Sequence, residues 1–287
     1  MKLGVYSISL PDLTPREAVS AARKLGYGGI EWRVAPRRDD LSHETPSYFG
    51  HNRCTLEPTV EAGAMARGLC VDEGIEVLGL SPYIGVGDVT AVEAAMRMAV
   101  AAGAPQVRLR AASTGEDSYA ALFARTVDFL GAVEQLALRY GVRGVVEVHQ
   151  RTICPSASLT HRLVSGFDPK AIGVIFDVGN MVIEGYEDHR IGLELLGAHL
   201  VHVHLKNVAY ERPADGGVWT PRWAPIDDGV LDVPAFLRVL AETGYDGWIA
   251  TEDFSTLRSP QETLAYNAAY LSDCWPRSPA SDGRADE

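Results

Sequence analysis

Short runs rich in valine, isoleucine and leucine alternate along the chain with longer runs whose apolar residues recur at helical spacing. That is the pattern of βα units feeding a parallel sheet. Eight strand segments can be read in order: KLGVYSI, GGIEWRV, IEVLGLS, QVRLRAA, GVVEVHQ, AIGVIFDVG, LVHVHLKN and GWIATEDF. The helix after the first opens with Thr14 as N-cap, Pro15 in the first turn and Glu17 at the third position, a set that satisfies the free amides of a helix start. Further helices are predicted over about 59–73, 88–102 and 119–140. Gly74, Gly103, Gly141 and Gly244 each stand just before a strand, where a left-handed helix exit costs least in glycine.

Eight units in 287 residues are what a single-domain (β/α)8 TIM barrel needs. A doubly wound open sheet is the other α/β arrangement, but no strand is followed by a GxGxxG turn, so its dinucleotide-binding form has no support. The barrel is expected to span residues 1–274, and the polar, proline-containing stretch 275–287 to be a disordered tail. The 36–58 loop is long for its class and is read as an active-site lid, since long ordered loops are usually functional.

An apolar fraction of 46% suffices for a barrel-sized core. The net charge of −12 argues against a nucleic-acid partner, because such affinity is built on a positive surface. No apolar run reaches the length of about 20 residues that crosses a bilayer, and MKLGVYSISL does not read as a secretory leader. A cytoplasmic protein without a membrane partner is expected. Cys54, Cys70, Cys154 and Cys274 form no CxxC pair and are read as incidental free thiols.

The candidate chemistry lies at the strand ends. In a barrel, alternate side chains point inward and active sites form at the C-terminal ends of the strands. Glu147, Asp177 and Glu252 each sit near the end of an apolar strand, on the fifth, sixth and eighth segments. Burying three carboxylates near one axis is prohibitive unless a cation compensates them. The seventh segment adds His202, His204 and Lys206 at alternating positions, all inward if Val201, Val203 and Leu205 face the helices. Depth favours His204 as the fourth ligand, with His202 lower, as an orienting or core histidine, and Lys206 at the rim. Three carboxylates and one imidazole suit a single divalent ion, with Mn2+ the first expectation and Mg2+, Co2+ or Zn2+ the alternatives.

These segments, in this order, resemble the sugar phosphate isomerase/epimerase family of xylose isomerase-like TIM barrels, which includes ketose 3-epimerases and inosose dehydratases. The resemblance implies metal ligands Glu147, Asp177, His204 and Glu252. Ketose 3-epimerases resemble one another in carrying a histidine three positions after the Asp ligand and an arginine six after the His ligand. Here those places hold Asn180 and Tyr210. HLK at 204–206 is closer to the inosose dehydratase-like branch, and Asn180 is taken as a substrate contact.

A divalent ion on a carbonyl and its neighbouring hydroxyl stabilises an enediolate. Glu147 and Glu252 on two sides of a small sugar-like substrate would then epimerise or isomerise it, the first reading of the function. The alternative is a lyase: an inosose- or dehydroshikimate-type dehydratase, or elimination from an oxidised sugar that cleaves a C-glycoside. Lys206 is read as a proton donor to a leaving oxygen or a partner of the enolate, against a solvated strand end. His149 either contacts substrate or orients a ligand. Glu31 is assigned to a sugar hydroxyl or to the lysine, with a structural ion pair as the other reading. Arg108 or Arg110 is a candidate for an anionic substrate group, and Trp32, Trp219 and Trp223 for stacking on a ring. His43, His51, His161, His189 and His199 are read as surface residues. A zinc-cluster repair endonuclease and a non-catalytic sugar-binding or scaffolding protein are weaker readings. A homo-oligomer or a partner subunit completes the expectations.

Overall fold

The apolar runs become the staves of a closed parallel barrel. The computed structural model describes residues 1–276 apart from Glu116 and the side chain of Asp39, so all but two residues of the expected tail lie outside the described residues. In chain order the elements are β1 (Lys2–Tyr6), α1 (Pro15–Lys24), β2 (Gly29–Arg33), α2 (Val60–Glu73), β3 (Glu76–Ser81), α3 (Val89–Ala102), β4 (Gln106–Leu109), α4 (Tyr119–Tyr140) and β5 (Arg143–Glu147). They continue with α5 (Ala157–Val164), β6 (Ile172–Asp177), α6 (Val178–Ile183), α7 (His189–Leu196), β7 (Leu200–Leu205), β8 (Asn207–Glu211), β9 (Thr220–Ala224), α8 (Val233–Glu242), β10 (Trp248–Thr251) and α9 (Pro260–Cys274). The barrel closes in the order β1-β10-β7-β6-β5-β4-β3-β2, and each neighbouring pair is parallel. Closure excludes the open doubly wound sheet.

Local chemistry sets the helix ends. Thr14 and Glu17 form the expected capping box on α1. Thr59, Asp88 and Ser118 accept the Ala62, Ala91 and Ala121 amides at 3.1, 3.0 and 3.3 Å. Gly74, Gly103 and Gly141 close α2, α3 and α4 with φ of 68°, 67° and 65°, a region in which a β-carbon would be crowded. The apolar faces of the helices pack on the outward-facing strand residues to form the main core.

Two connections carry order that strand and helix periodicity does not specify. The connection after β7 is an antiparallel hairpin, β8 paired with β9 from Asn207↔Ala224 to Glu211↔Thr220. Asn207 ties its base down, donating to the Ile226 and Leu231 carbonyls at 3.0 and 3.1 Å and accepting from the Leu231 amide at 3.0 Å. The 36–58 loop packs against the segments that follow β1 and β10. Asn52 is buried and donates to the Ile8 carbonyl at 2.9 Å, Tyr48 donates to the Ser255 carbonyl at 2.8 Å, and the Phe49 and Phe254 rings lie 5.1 Å apart. Cys54, Cys70 and Cys154 are buried free thiols and Cys274 is partly buried.

Candidate metal centre

Strand alternation aims Glu147 from the end of β5, Asp177 from the end of β6 and His204 from β7 into the barrel, and Glu252 follows directly on β10. The β6–β7 register sets Asp177 opposite His204, and the Glu252 amide donates to the Leu205 carbonyl at 3.0 Å. One ligand atom from each of the four lies within 4.8 Å of the others, and all four residues are buried. His204 Nδ1 is the nitrogen on this side, 3.2 Å from Glu147 Oε1 and 3.8 Å from both Asp177 Oδ2 and Glu252 Oε2. Its Nε2 faces the other way and donates to Glu31 Oε2 at 2.7 Å, which orients the ring and leaves Nδ1 facing the carboxylates.

Asp177 divides its two oxygens. Oδ1 caps α6 by accepting the Asn180 amide at 2.8 Å. Oδ2 is 2.6 Å from Lys206 Nζ but forms no well-aligned hydrogen bond. Glu147, Asp177 and Glu252 converge buried on one point, and a cation there would offset the cost of burying their like charges together. The hard, oxygen-rich donor set suits a divalent ion, so the residues fit a metal.

Lys206 is 3% exposed, not a solvated strand end. Its ammonium touches Glu252 and Asp177 and lies 5.2 and 5.6 Å from the ring centroids of Trp223 and Phe254. Gly179 makes room for it: a β-carbon there would meet Lys206 Cγ and stand 2.9 Å from the Lys206 carbonyl oxygen. Burial disfavours the charge, but Asp177, Glu252 and Glu147 outweigh it and keep the amine protonated. Burial pushes the Glu252 carboxyl up to about 7, against the opposing pull of Lys206 and His204. Glu147 goes the other way. Its Oε2 accepts from Arg108 at 2.9 Å, and that guanidinium, with His204, overcomes burial and holds the carboxyl well below its usual range.

Beneath the cluster, Glu31, His202 and His204 form a second group of close ligand atoms. His202 Nε2 donates to Glu31 Oε2 at 2.9 Å, and Ser81 donates to Oε1. Glu31 is thus satisfied from three sides, and the two histidines, working against burial, keep its carboxyl well below the ordinary value. The assignment of Glu31 to a sugar hydroxyl or to Lys206 is corrected. A register shift between Ile30 and Glu31 in the β2–β3 pairing accompanies its placement on the histidines. Tyr6 stacks on His204 at 5.6 Å and 17°. The alternation of β1 is the only sequence signal that could have found it.

Above the cluster opens a pocket of about 270 Å³ lined on its polar side by Arg108, Arg110, Glu147, His149, Gln150, Asn180, Lys206 and Glu252, and elsewhere by Ile8, Phe49, Tyr83, Trp223 and Phe254. His149 and Trp223 therefore line this pocket. Asn180 does too, while donating to the Val148 carbonyl at 3.2 Å. Arg108 lines the pocket but is committed to Glu147. Trp32 is corrected: it is fully buried in the core, because the strand position after inward-facing Glu31 points to the helices. Trp219 is exposed at the hairpin and does not line this pocket. Tyr210 clasps the end of α6 through the Val182 carbonyl at 3.0 Å. His199 is buried, with Nδ1 2.9 Å from the Ile172 carbonyl, not at the surface. Phe49, Tyr83 and Phe254 reach the pocket from loops whose course strand alternation does not specify.

Residues 19–274 match the family described as the xylose isomerase-like TIM barrel. Inosose dehydratase of Geobacillus thermodenitrificans is 31% identical over 142 residues, which cover 44% of this chain and 45% of that protein. The chain thus spans under half the length of that curated relative. Among solved structures, 3-keto-D-glucoside 4-epimerase from E. coli superposes with a TM-score of 0.72 at 18% identity, over 96% of this chain and 100% of the other. A xylose isomerase-like TIM barrel protein from Mycobacterium smegmatis, in complex with magnesium, superposes with a TM-score of 0.66 at 15% identity, over 95% and 96% of the two chains. Among the described residues, no helix is long and apolar enough to cross a membrane.

Proposed function

We propose, for a chain that belongs to the xylose isomerase-like TIM barrel family, a divalent-metal-dependent lyase that removes water from a sugar-like polyhydroxy carbonyl compound. Glu147, Asp177, His204 and Glu252 would hold the ion, with Mn2+ the first candidate on the oxygen-rich donor set. When bound, a divalent ion supplies Lewis acidity to a carbonyl and its neighbouring hydroxyl, which acidifies the adjacent C–H bond.

One observation carries the choice of elimination. The second oxygen of Glu147 is taken by Arg108, whereas Glu252 stands against the buried ammonium of Lys206. The site therefore offers one available base and one acid, not two matched bases. The α proton passes to Glu252, and the C–H electron pair becomes the double bond. The β C–O bond breaks, and the oxygen leaves as water with a proton from Lys206. Glu252 returns its proton to Lys206 across their contact, which resets both. The likeness to an inosose dehydratase supports the same outcome.

Isomerisation or epimerisation is the second reading, favoured by the convergence of Glu147 and Glu252 on one cluster. The test is turnover of a panel of ketoses, inososes and oxidised sugars in deuterium oxide by the Mn2+-loaded chain. Elimination gives an ultraviolet enone band, and Lys206→Met loses it by about 100-fold or more while still exchanging the α proton. Deuterium uptake into a product that keeps every hydroxyl group would refute the lyase and establish the second reading.

A further inference from the structure

Beside the reaction pocket lies a second hollow of about 560 Å³, into which Arg110, Arg151 and Arg222 project beside His149 and Trp223. Arg110, His149, Gln150 and Trp223 line both spaces, so the two adjoin. No carboxylate is among the described residues that line the second, in a chain whose net charge is −12. A cluster of one sign against the overall balance concentrates counter-charge at that spot.

The guanidinium groups are largely uncommitted. Arg110 and Arg151 are exposed, and neither side chain forms an ion pair among the described residues. Arg222 shares Nε with Glu211 at 3.3 Å, and its terminal nitrogen reaches only the Trp223 carbonyl, at 3.5 Å. Arg151 is also the one described residue other than glycine with a positive φ, 59°, a conformation that a β-carbon makes costly. It is held there from both sides. Its amide donates to Glu184 Oε2 at 2.7 Å, its carbonyl accepts from the Thr114 amide at 3.0 Å, and Thr152 bridges to Ser113. Backbone strain maintained by surrounding bonds is a mark of functional positions, and here it fixes the root of a guanidinium on the wall of the hollow.

We infer that this hollow binds an oxyanion carried by the substrate, a carboxylate or a phosphate ester, with its carbonyl end in the neighbouring pocket. The enzyme then acts on an anionic sugar-like compound rather than a neutral one. Planar guanidinium groups suit this task because each presents paired donors to two oxygens. The inference rests on the reading of the neighbouring pocket as the reaction site.

The test is a titration of the full chain, with and without Mn2+, by inorganic phosphate and by glycolate at constant ionic strength, read by tryptophan emission through Trp223. Saturable binding is expected in both metal states, weakened about tenfold or more by Arg151→Gln and by Arg110→Gln. Arg151→Gly is expected to lose affinity to the same extent while melting at a higher temperature, since glycine relieves the backbone. Tighter phosphate binding assigns a phosphate ester and tighter glycolate binding a carboxylate, and each supports the subsite. No saturable change with either anion, or titrations of the variants that superpose on the parent's, overturns it. Turnover of neutral substrates at rates untouched by Arg151→Gln, with no anion bound, would end this inference and leave the reaction standing. Anion binding without turnover of any polyhydroxy carbonyl compound would do the reverse.

Discussion

Replacing Lys206 by methionine tests whether the buried ammonium acts as an internal counter-charge for the metal cluster. Glu31, Glu147, Asp177 and Glu252 are all buried, and the fixed cations beside them are Arg108 and Lys206, at 2.9 Å from Glu147 and 2.6 Å from Asp177. Methionine keeps most of the stem volume and removes the charge. Removing one partner of a buried ion pair costs about 3–5 kcal/mol because the other charge is left uncompensated. For a domain of this size 1 kcal/mol moves the melting temperature by about 2–4 °C, so the metal-free variant should melt roughly 6–20 °C lower. A bound divalent ion replaces the missing charge, so Mn2+ should raise the melting temperature of the variant by more than that of the parent. The assay is thermal unfolding followed by circular dichroism, in a chelator and in excess Mn2+. Equal melting temperatures in the chelator, with equal shifts on adding metal, would refute the counter-charge role.

Two further outcomes follow from the same geometry. In the metal-free protein, burial places Glu252 at about 7. His204 is held well above its ordinary value, because Glu31, Asp177 and Glu147 outweigh its burial. Both groups must surrender protons to bind a cation, so metal affinity should rise with pH through 7; an affinity that stays constant between pH 6 and 8 in competition titrations with a chelator would contradict the assignment. Gly179→Ala should displace Lys206, since the added carbon meets its side chain and its carbonyl oxygen. The expected cost is about 1–3 kcal/mol in stability, with the enone-forming rate falling more than α-proton exchange, and a variant with unchanged rates and melting temperature would count against this packing.

The period-two alternation of the strands was legible from the sequence. It put Glu147, Asp177, His204 and Glu252 on the inside and near the strand ends, and it separated the inward HxHxK positions 202, 204 and 206 from their outward neighbours. The same rule, applied to β2, places Trp32 among the helices once Glu31 is known to be inward. It also marks Tyr6 as an inward residue, although nothing in that local pattern says it stacks on His204, one residue before the end of β7.

The strand segments, the eightfold count, the helix caps and the inward parity of Glu147, Asp177, His204 and Glu252 are local properties, set by side-chain alternation and by hydrogen bonding within a few residues, and the sequence by itself determined them. Depth along the barrel axis and lateral pairing are set by the mutual stagger of all eight strands at closure, which no single segment encodes. Only the tertiary structure therefore decided that Glu31 lies under both histidines and that Lys206 is buried against Asp177 and Glu252 beside Gly179. It alone decided that Arg108 occupies Glu147, and that Arg110, Arg151 and Arg222, drawn from three separate loops and strands, meet around one hollow.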